Sequence, residues 1–311
     1  MESIAVIIPT KNRKELLDIT IQNIFSQTIR PNELIIVDDH STDGTLDFFR
    51  SKYGEDVILL KNVGVGPGAA RNTGLASTKC EFVKFFDSDD LMSLNSLEVQ
   101  MKSLIASNAD MVYTPYVHAK YENRQWQQQD VVKQYFPIPQ KMTLRECMSY
   151  GFFTVIPAMM FRRNFLLKVG KWREDILAYE DWDYLWRIGG LVDHPNHTND
   201  CLMIYRIHGD QTTDNQSSDI KRDGDKIRVM YDLLSDLPNN TISRFLTECE
   251  FHKTKSLLDK DYKISMLHQL GILWKRIRNK IERKRTGTHW ERMHGPSKSI
   301  VLTDYFNDLI I

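Results

Sequence analysis

The chain reads as an α/β protein with a helical C-terminal region. Three observations predict this. β-branched apolar runs alternate with helix-spaced segments up to about residue 115. Two of those runs close in acids, Asp38-Asp39 and Asp87-Ser88-Asp89-Asp90. Beyond about Asp214 only helical spacing remains. Ile4–Pro9 is a continuous apolar run stopped by proline, and residues 13–27 carry Leu16, Leu17, Ile21, Ile24 and Phe25 at helical spacing. Pro31-Asn32 breaks that helix, and Glu33–Val37 makes a second strand. Strand, helix and strand in that order form a βαβ unit with a right-handed parallel crossover.

The remaining elements follow in order. Val57–Leu60 is a third strand, Gly66–Gly68 a turn opening a helix over Ala69–Ser77, and Glu81–Phe86 a fourth strand. A helix is expected over Leu94–Ser107 and a strand over Met111–Thr114. The polar, Gln-rich stretch Tyr121–Asp130 suits an exposed hairpin or loop. Phe152–Arg163 can contain a strand, Trp182–Ile188 is helical, and Cys201–Arg206 is a short strand. Helices are expected over Ile220–Leu234, Ile242–Leu258 and roughly Ile264–Arg285. The polar run DQTTDNQSSD at 210–219 is the best boundary. This organises the chain as 1–110, 111–214 and 215–311.

With 311 residues, 41% apolar and 26% charged, the composition is that of an ordinary globular protein. The 41 basic residues balance 41 acidic ones, which predicts no nucleic-acid partner. Cys80, Cys147, Cys201 and Cys249 are scattered and form no CxxC pair, which argues against a zinc site and for a reducing, cytoplasmic setting. The N-terminus MESIAVIIPTKNR resembles a first strand more than a signal peptide. No run reaches the roughly 18 apolar residues of a membrane span.

The acids carry the chemistry. Carboxylates at the carboxyl ends of parallel strands face the crevice where α/β sheets bind ligands. Asp38-Asp39 can accept from a ribose hydroxyl or a base N–H; the run Asp-His-Ser-Thr-Asp-Gly equally suits a turn with a helix cap. Asp87-Ser88-Asp89-Asp90 places like charges side by side, a cost that a divalent cation offsets, although the same residues suit a helix N-terminus. Gly64–Asn72, GVGPGAARN, permits close backbone approach to a nucleotide and supplies Arg71; a plain tight turn explains it as well. Glu180-Asp181 sits near Trp182 and Trp186, where desolvation would raise a carboxyl pKa, yet acids also crowd helix starts generally. His208 can ligate metal or contact phosphate, or be structural, and Arg206 can neutralise charge.

In order and spacing, AVIIPTKNR, LIIVDDHSTDGT, GPGAARNTGL, FFDSDDL, GKWREDILAYEDWDYLWRI and YRIHGDQ resemble the family 2 glycosyltransferases across roughly residues 3–210. That resemblance implies a GT-A fold, a Rossmann-like mixed sheet flanked by helices. It implies a UDP-sugar donor, a Mn²⁺ or Mg²⁺ ion and inversion at the anomeric carbon. Carried onto this chain, it puts Pro9, Thr10, Asn12, Asp39, Gly68, Arg71, Asp87 and Ser88 around the nucleotide. It gives Asp89, with Asp87 and His208, to the metal, and Asp181 to deprotonation of the acceptor hydroxyl. The acceptor class is a glycan or lipid-linked saccharide, for polysaccharide or cell-surface glycan synthesis.

Two other classes remain open at this level: a nucleotide-sugar-binding module without transfer activity, and a sugar nucleotidyltransferase. The first predicts loss of the metal or base carboxylates, yet Asp87, Asp89 and Asp181 are present. The second places a glycine-rich basic loop after strand one, where this chain has Pro9-Thr10-Lys11-Asn12-Arg13. Finally, Leu270, Trp274, Ile277 and Ile281 recur at helical spacing within a basic stretch. Such a helix over 270–285 suits peripheral contact with anionic lipid at the inner membrane face; it also suits packing on the catalytic domain with its basic face in water.

Overall fold

The computed structural model describes residues 2–122, 125–129, 132–133, 137–149, 154–209, 220–237, 242–258, 263–264, 268 and 272. In chain order the elements are β1 (Ile4–Thr10), α1 (Lys14–Phe25), β2 (Glu33–Asp38), α2 (Thr45–Tyr53), β3 (Ile58–Lys61), α3 (Pro67–Ser77), β4 (Phe82–Phe85), β5 (Leu91–Met92), α4 (Ser96–Ser107), β6 (Met111–Tyr113), β7 (Tyr116–Glu122), β8 (Gln125–Gln128), α5 (Leu144–Ser149), β9 (Met159–Arg162), α6 (Arg163–Val169), α7 (Glu180–Ile188), β10 (Asn196–His197), β11 (Met203–Ile207), α8 (Ile220–Asp236) and α9 (Ile242–Leu258).

Seven strands form one mixed sheet in the order β10-β6-β9-β4-β1-β2-β3. β1, β2, β3 and β4 run parallel, while β9 lies antiparallel between β4 and β6. Strands from residues 1–110 and from 111–214 therefore share one sheet. A smaller sheet, β5-β11-β7-β8, stands beside it.

The central strands are buried on both faces, which is why they read as unbroken apolar runs. Ala5, Ile7, Ile35, Val37, Val83 and Phe85 point to one layer, where α3, α6 and α7 pack. Ile4, Val6, Ile8, Leu34, Ile36 and Phe82 point to the other, under α1 and α4. Gly74 lets α3 lie against β1, since a Cβ there would overlap the Ile7 side chain. Lys84 is the exception in this apolar strand. Its buried ammonium donates to Gln100 Oε1 (2.8 Å), Pro157 O (2.7 Å) and Met159 O (3.3 Å), and burial pushes its pKa down to about 7.

Several boundaries differ from the sequence expectations. α4 begins at Ser96 instead of Leu94, because Leu91–Met92 is drawn into the second sheet by pairing with β11. The Gln-rich stretch is a hairpin, β7 paired antiparallel with β8. α5 and α6 are additional elements, whereas α2 follows the helix cap that Asp-His-Ser-Thr-Asp-Gly allows, with Asp43 Oδ1 accepting from the Thr45 N–H (3.1 Å). α7 starts two residues early, at Glu180, after Tyr179 adopts a left-handed conformation at φ 63°. The predicted helix over 264–285, with its basic stretch, lies outside the described residues apart from Ile264, His268 and Ile272. No helix among the described residues is long and apolar enough to cross a membrane.

Candidate active site

The carboxyl ends of β1, β2, β3 and β4 share one edge of the sheet, and β1 lies between β4 and β2 where the strand order reverses direction. Ligands of open α/β sheets bind at such a point. The residues predicted for the site leave these strand ends one after another.

At the β1–β2 corner, Thr10 and Asp38 are partners in register. Both are buried, and the Thr10 hydroxyl and Asp38 Oδ1 have no hydrogen-bond partner among the described residues. Buried polar atoms are nearly always paired in native proteins, so this corner has unmet hydrogen-bonding capacity. Pro9 is buried just before it. Asn12 follows in a left-handed conformation, φ 51°. Its amide N–H donates to Ser41 Oγ (2.9 Å), and its Oδ1 accepts from the Thr42 N–H (2.7 Å), lacing the two strand-end loops together.

Asp39 is tied into the glycine-rich loop. Its carboxylate accepts from Asn62 Nδ2 (2.7 Å) and from the Gly66 N–H (3.0 and 3.1 Å), with Lys11 Nζ 3.8 Å away. Gly66 has φ 92° and precedes Pro67 at the start of α3, where proline's missing N–H costs nothing. Gly68 is required by a close approach: a Cβ there would lie 2.6 Å from Arg173 O.

α3 then delivers Arg71. Its side chain is only 4% exposed and meets three carboxylates: Asp87 at 3.1 Å, Glu180 at 3.2 Å and Asp181 at 3.5 Å. Its guanidinium also lies over the Trp172 ring, 4.5 Å from the centroid, and that ring stacks on Tyr184 at 3.8 Å. One cation thus joins the end of β4 to the start of α7. Burial works against the charge of Arg71, but Asp181, Asp87 and Glu180 outweigh it and raise its pKa.

The acids respond unequally. Burial, reinforced by the charges of Glu180 and Asp87, pushes Asp181 up to about 8 despite Arg71. Burial also leaves Asp87 raised, with Arg71 opposing and Asp89 adding to the rise. Asp90 is raised well above the usual range by burial and by its neighbours Asp89 and Asp87. Asp89 goes the other way. Burial raises it, but the hydrogen bond from His208 and the charges of Arg13, His208 and Arg206 bring it below the usual value.

Asp89 and His208 come together as the sequence suggested, with Nε2 to Oδ2 at 3.0 Å. Arg13 meets the same oxygen. Arg206 lies beneath: its backbone N–H donates to Asp90 Oδ1 (3.0 Å) and its Nε donates to the Asp89 carbonyl. Ser88 is buried between, its carbonyl accepting from Thr20 Oγ1 (3.1 Å). Asp87 turns from this group toward Arg71. No three acids, histidines or cysteines among the described residues form a ready metal cage. What they offer is one carboxylate and one imidazole at a strand end. That partial set fits Mg²⁺ or Mn²⁺, which are commonly held by one or two carboxylates with substrate phosphates completing the shell.

Sequence reasoning missed Arg13, Asn62 and Trp172. Arg13 carried a signal, as a cation three residues past β1. Trp172 had none beyond lying in a quoted stretch, and Asn62 lies outside all of them.

The architecture is that of a GT-A glycosyltransferase. The model of glycosyl transferase family 2 matches residues 5–170. A β-1,3-glucosyltransferase of Escherichia coli, WfgD, named for UDP-glucose and α-D-GlcNAc-diphosphoundecaprenol, is 26% identical over 78% of this chain and 88% of its own. The poly(ribitol-phosphate) β-N-acetylglucosaminyltransferase TarP of Staphylococcus aureus is 37% identical over 37% of each chain. Residues 1–349 of S. aureus TarS, solved with UDP-GlcNAc, superpose with a TM-score of 0.61 at 18% identity, covering 90% of this chain and 81% of that one, a likeness of fold. The chain belongs to glycosyl transferase family 2.

Proposed function

We propose that the enzyme transfers a sugar from a UDP-sugar to a hydroxyl of a glycan or lipid-linked saccharide, with metal dependence and inversion at the anomeric carbon. The observation that carries this reading is that buried Arg71 joins the acidic end of β4, through Asp87, to Asp181 at the start of α7. Asp89 is held ionised at the strand end, while Asp181, at the start of α7, has its pKa near 8. A general base works best with a pKa near the operating pH.

Thr10, Asp38 and Asp39 lie at the base end of the donor, with the Asp39 carboxylate fixed by the Asn62 amide and the Gly66 N–H. The loop Gly66–Gly68 and the start of α3 lie along the donor, and Asp87 approaches the ribose. Asp89, with His208, would hold Mn²⁺ or Mg²⁺, which when bound offsets the charge developing on the leaving diphosphate. Arg13 adds positive charge beside Asp89. Asp181 takes the proton of the acceptor hydroxyl as its oxygen attacks the anomeric carbon. The proton stays on the carboxyl until product leaves.

The acceptor class is supported by WfgD, named for α-D-GlcNAc-diphosphoundecaprenol, and by TarP, named for poly(ribitol-phosphate). Peripheral contact at the inner face of the membrane is consistent with that class, and flotation with anionic vesicles tests the membrane contact. The main experiment measures UDP release over several UDP-sugars with Mn²⁺. Loss of turnover with EDTA and with Asp181→Asn supports the assignment; full transfer by Asp181→Asn sinks the base, and full transfer in EDTA sinks the metal.

A further inference from the structure

α8 lies beyond the stretch matched by the family model. It presents a polar stripe at helical spacing, Asp225, Arg228, Asp232 and Asp236, and each residue grips the segment that carries Asp181. Asp236 accepts from Trp186 Nε1 of α7 (3.0 Å) and pairs with Arg145. Asp232 pairs with Arg173 (2.6 Å), and Arg228 with Asp175 (2.6 Å). Asp225 is different in kind. It is buried, and its Oδ2 accepts from the backbone N–H groups of Leu177 (2.9 Å) and Ala178 (3.3 Å). Lys226 lies over the Tyr179 ring, 5.7 Å from its centroid. Beside this stripe, Val229, Leu233 and Leu237 join the apolar layer that contains Tyr184 and Leu185.

These contacts fall where they matter for direction. Tyr179 turns the backbone left-handed, and α7 begins at the next residue. The Tyr179 carbonyl accepts from the Trp182 and Asp183 N–H groups, so the position of Tyr179 sets where Glu180 and Asp181 point. A bulky residue at positive φ persists only where its surroundings hold it. Arg71 draws on Asp181 from the sheet side; Asp225 fixes the connector from the other.

We propose that Asp225 is a positioning residue for Asp181, and that α8 is part of the catalytic apparatus through it. This rests on Asp181 being the base. A carboxylate collecting two N–H groups is a charge-assisted anchor, and a shift of about 1 Å at a reacting group can cost on the order of 100-fold in rate.

The test uses the full chain, UDP-glucose and UDP-GlcNAc as donors, and a synthetic GlcNAc-α-diphosphate lipid as acceptor. Asp225→Glu keeps the charge and moves the carboxylate outward by one methylene. It is expected to fold with an unchanged melting temperature and to lose about 10-fold or more in kcat at constant donor KM. Asp225→Asn keeps an acceptor oxygen in place and retains kcat within a few-fold. Asp225→Ala loses more than Asp225→Glu. If Asp225→Glu is folded and keeps wild-type kcat, the proposal is overturned. It is also overturned if donor KM rises in step with the loss of kcat. Asp181→Asn is run alongside. Activity retained there refutes the base itself, whereas an inactive Asp181→Asn beside a fully active Asp225→Glu refutes only the positioning role.

Discussion

Replacing Asp181 with asparagine should stabilise the protein at alkaline pH while removing its activity. Asp181 has its carboxyl raised from 3.8 to about 8, first by burial and then by Glu180 and Asp87. Between those values the native state keeps the proton and the unfolded chain releases it. The unfolded state then binds fewer protons, so stability falls as pH rises. The contribution is fully present below pH ~4 and lost as pH passes ~8. A shift of roughly four units at ~1.4 kcal/mol each sets an upper bound of ~6 kcal/mol. The side chain is 24% exposed, so the expected plateau is ~3 kcal/mol after screening. Asparagine is nearly the shape of the protonated acid and carries no charge to bury. Urea unfolding at pH 5, 7 and 8.5 should show Asp181→Asn more stable than wild type at pH 8.5, with the advantage shrinking by ~2 kcal/mol at pH 5. UDP release should fall by ~10²–10⁴-fold, as for loss of a general base. An advantage that is flat with pH, or a variant less stable than wild type at pH 8.5, would refute the reasoning.

Three further predictions concern the groups around it. Arg71→Met leaves Asp87, Glu180 and Asp181 without their shared cation; breaking such buried pairs should cost ~3–5 kcal/mol at pH 8 in urea melts. The cost should be smaller at pH 5.5, where Asp181, raised to about 8, is protonated. Gly68→Ala brings a Cβ within 2.6 Å of Arg173 O, which must shift; it should lower stability by ~1–3 kcal/mol in the same melts and weaken UDP binding by calorimetry. His208→Ala removes the imidazole on Asp89; the Mn²⁺ concentration for half-maximal UDP release should rise about 10-fold or more, equivalent to ~1.4 kcal/mol.

What was readable in the sequence is local, and what was hidden is long-range. β1, β2 and β4 could be named because burial on both faces makes a continuous apolar run, and the acids after them mark where each run ends. β5 and β10 span two residues each, too short for any period to show, and β5 exists only because β11 pairs with it. Lys84 breaks the apolar rule in β4 and is tolerated because carbonyls from Pro157 and Met159, over 70 residues away, accept its protons. The site shows the same division. Asp87 and Asp181 could each be read as a strand-end acid and a helix-start acid. That one guanidinium joins them depends on contacts 16 and 110 residues apart in sequence.

This division also explains why α8 looked featureless. Its charged residues match the solvated face of any amphipathic helix, and nothing in their spacing marks a partner. Only in the fold does Asp225 reach the N–H groups of Leu177 and Ala178 and Asp236 reach the Trp186 indole. The family match ends at residue 170, before either Asp181 or α8. The strand-end residues Thr10, Asp39, Asp87 and Asp89 therefore lie within the matched stretch, while Asp181, the proposed base, is carried by a connector and helix outside it. On the proposed assignment, donor chemistry can stay constant while the geometry of the proposed base changes with the acceptor. Substitutions along the α8 stripe should then alter turnover and leave donor affinity in place.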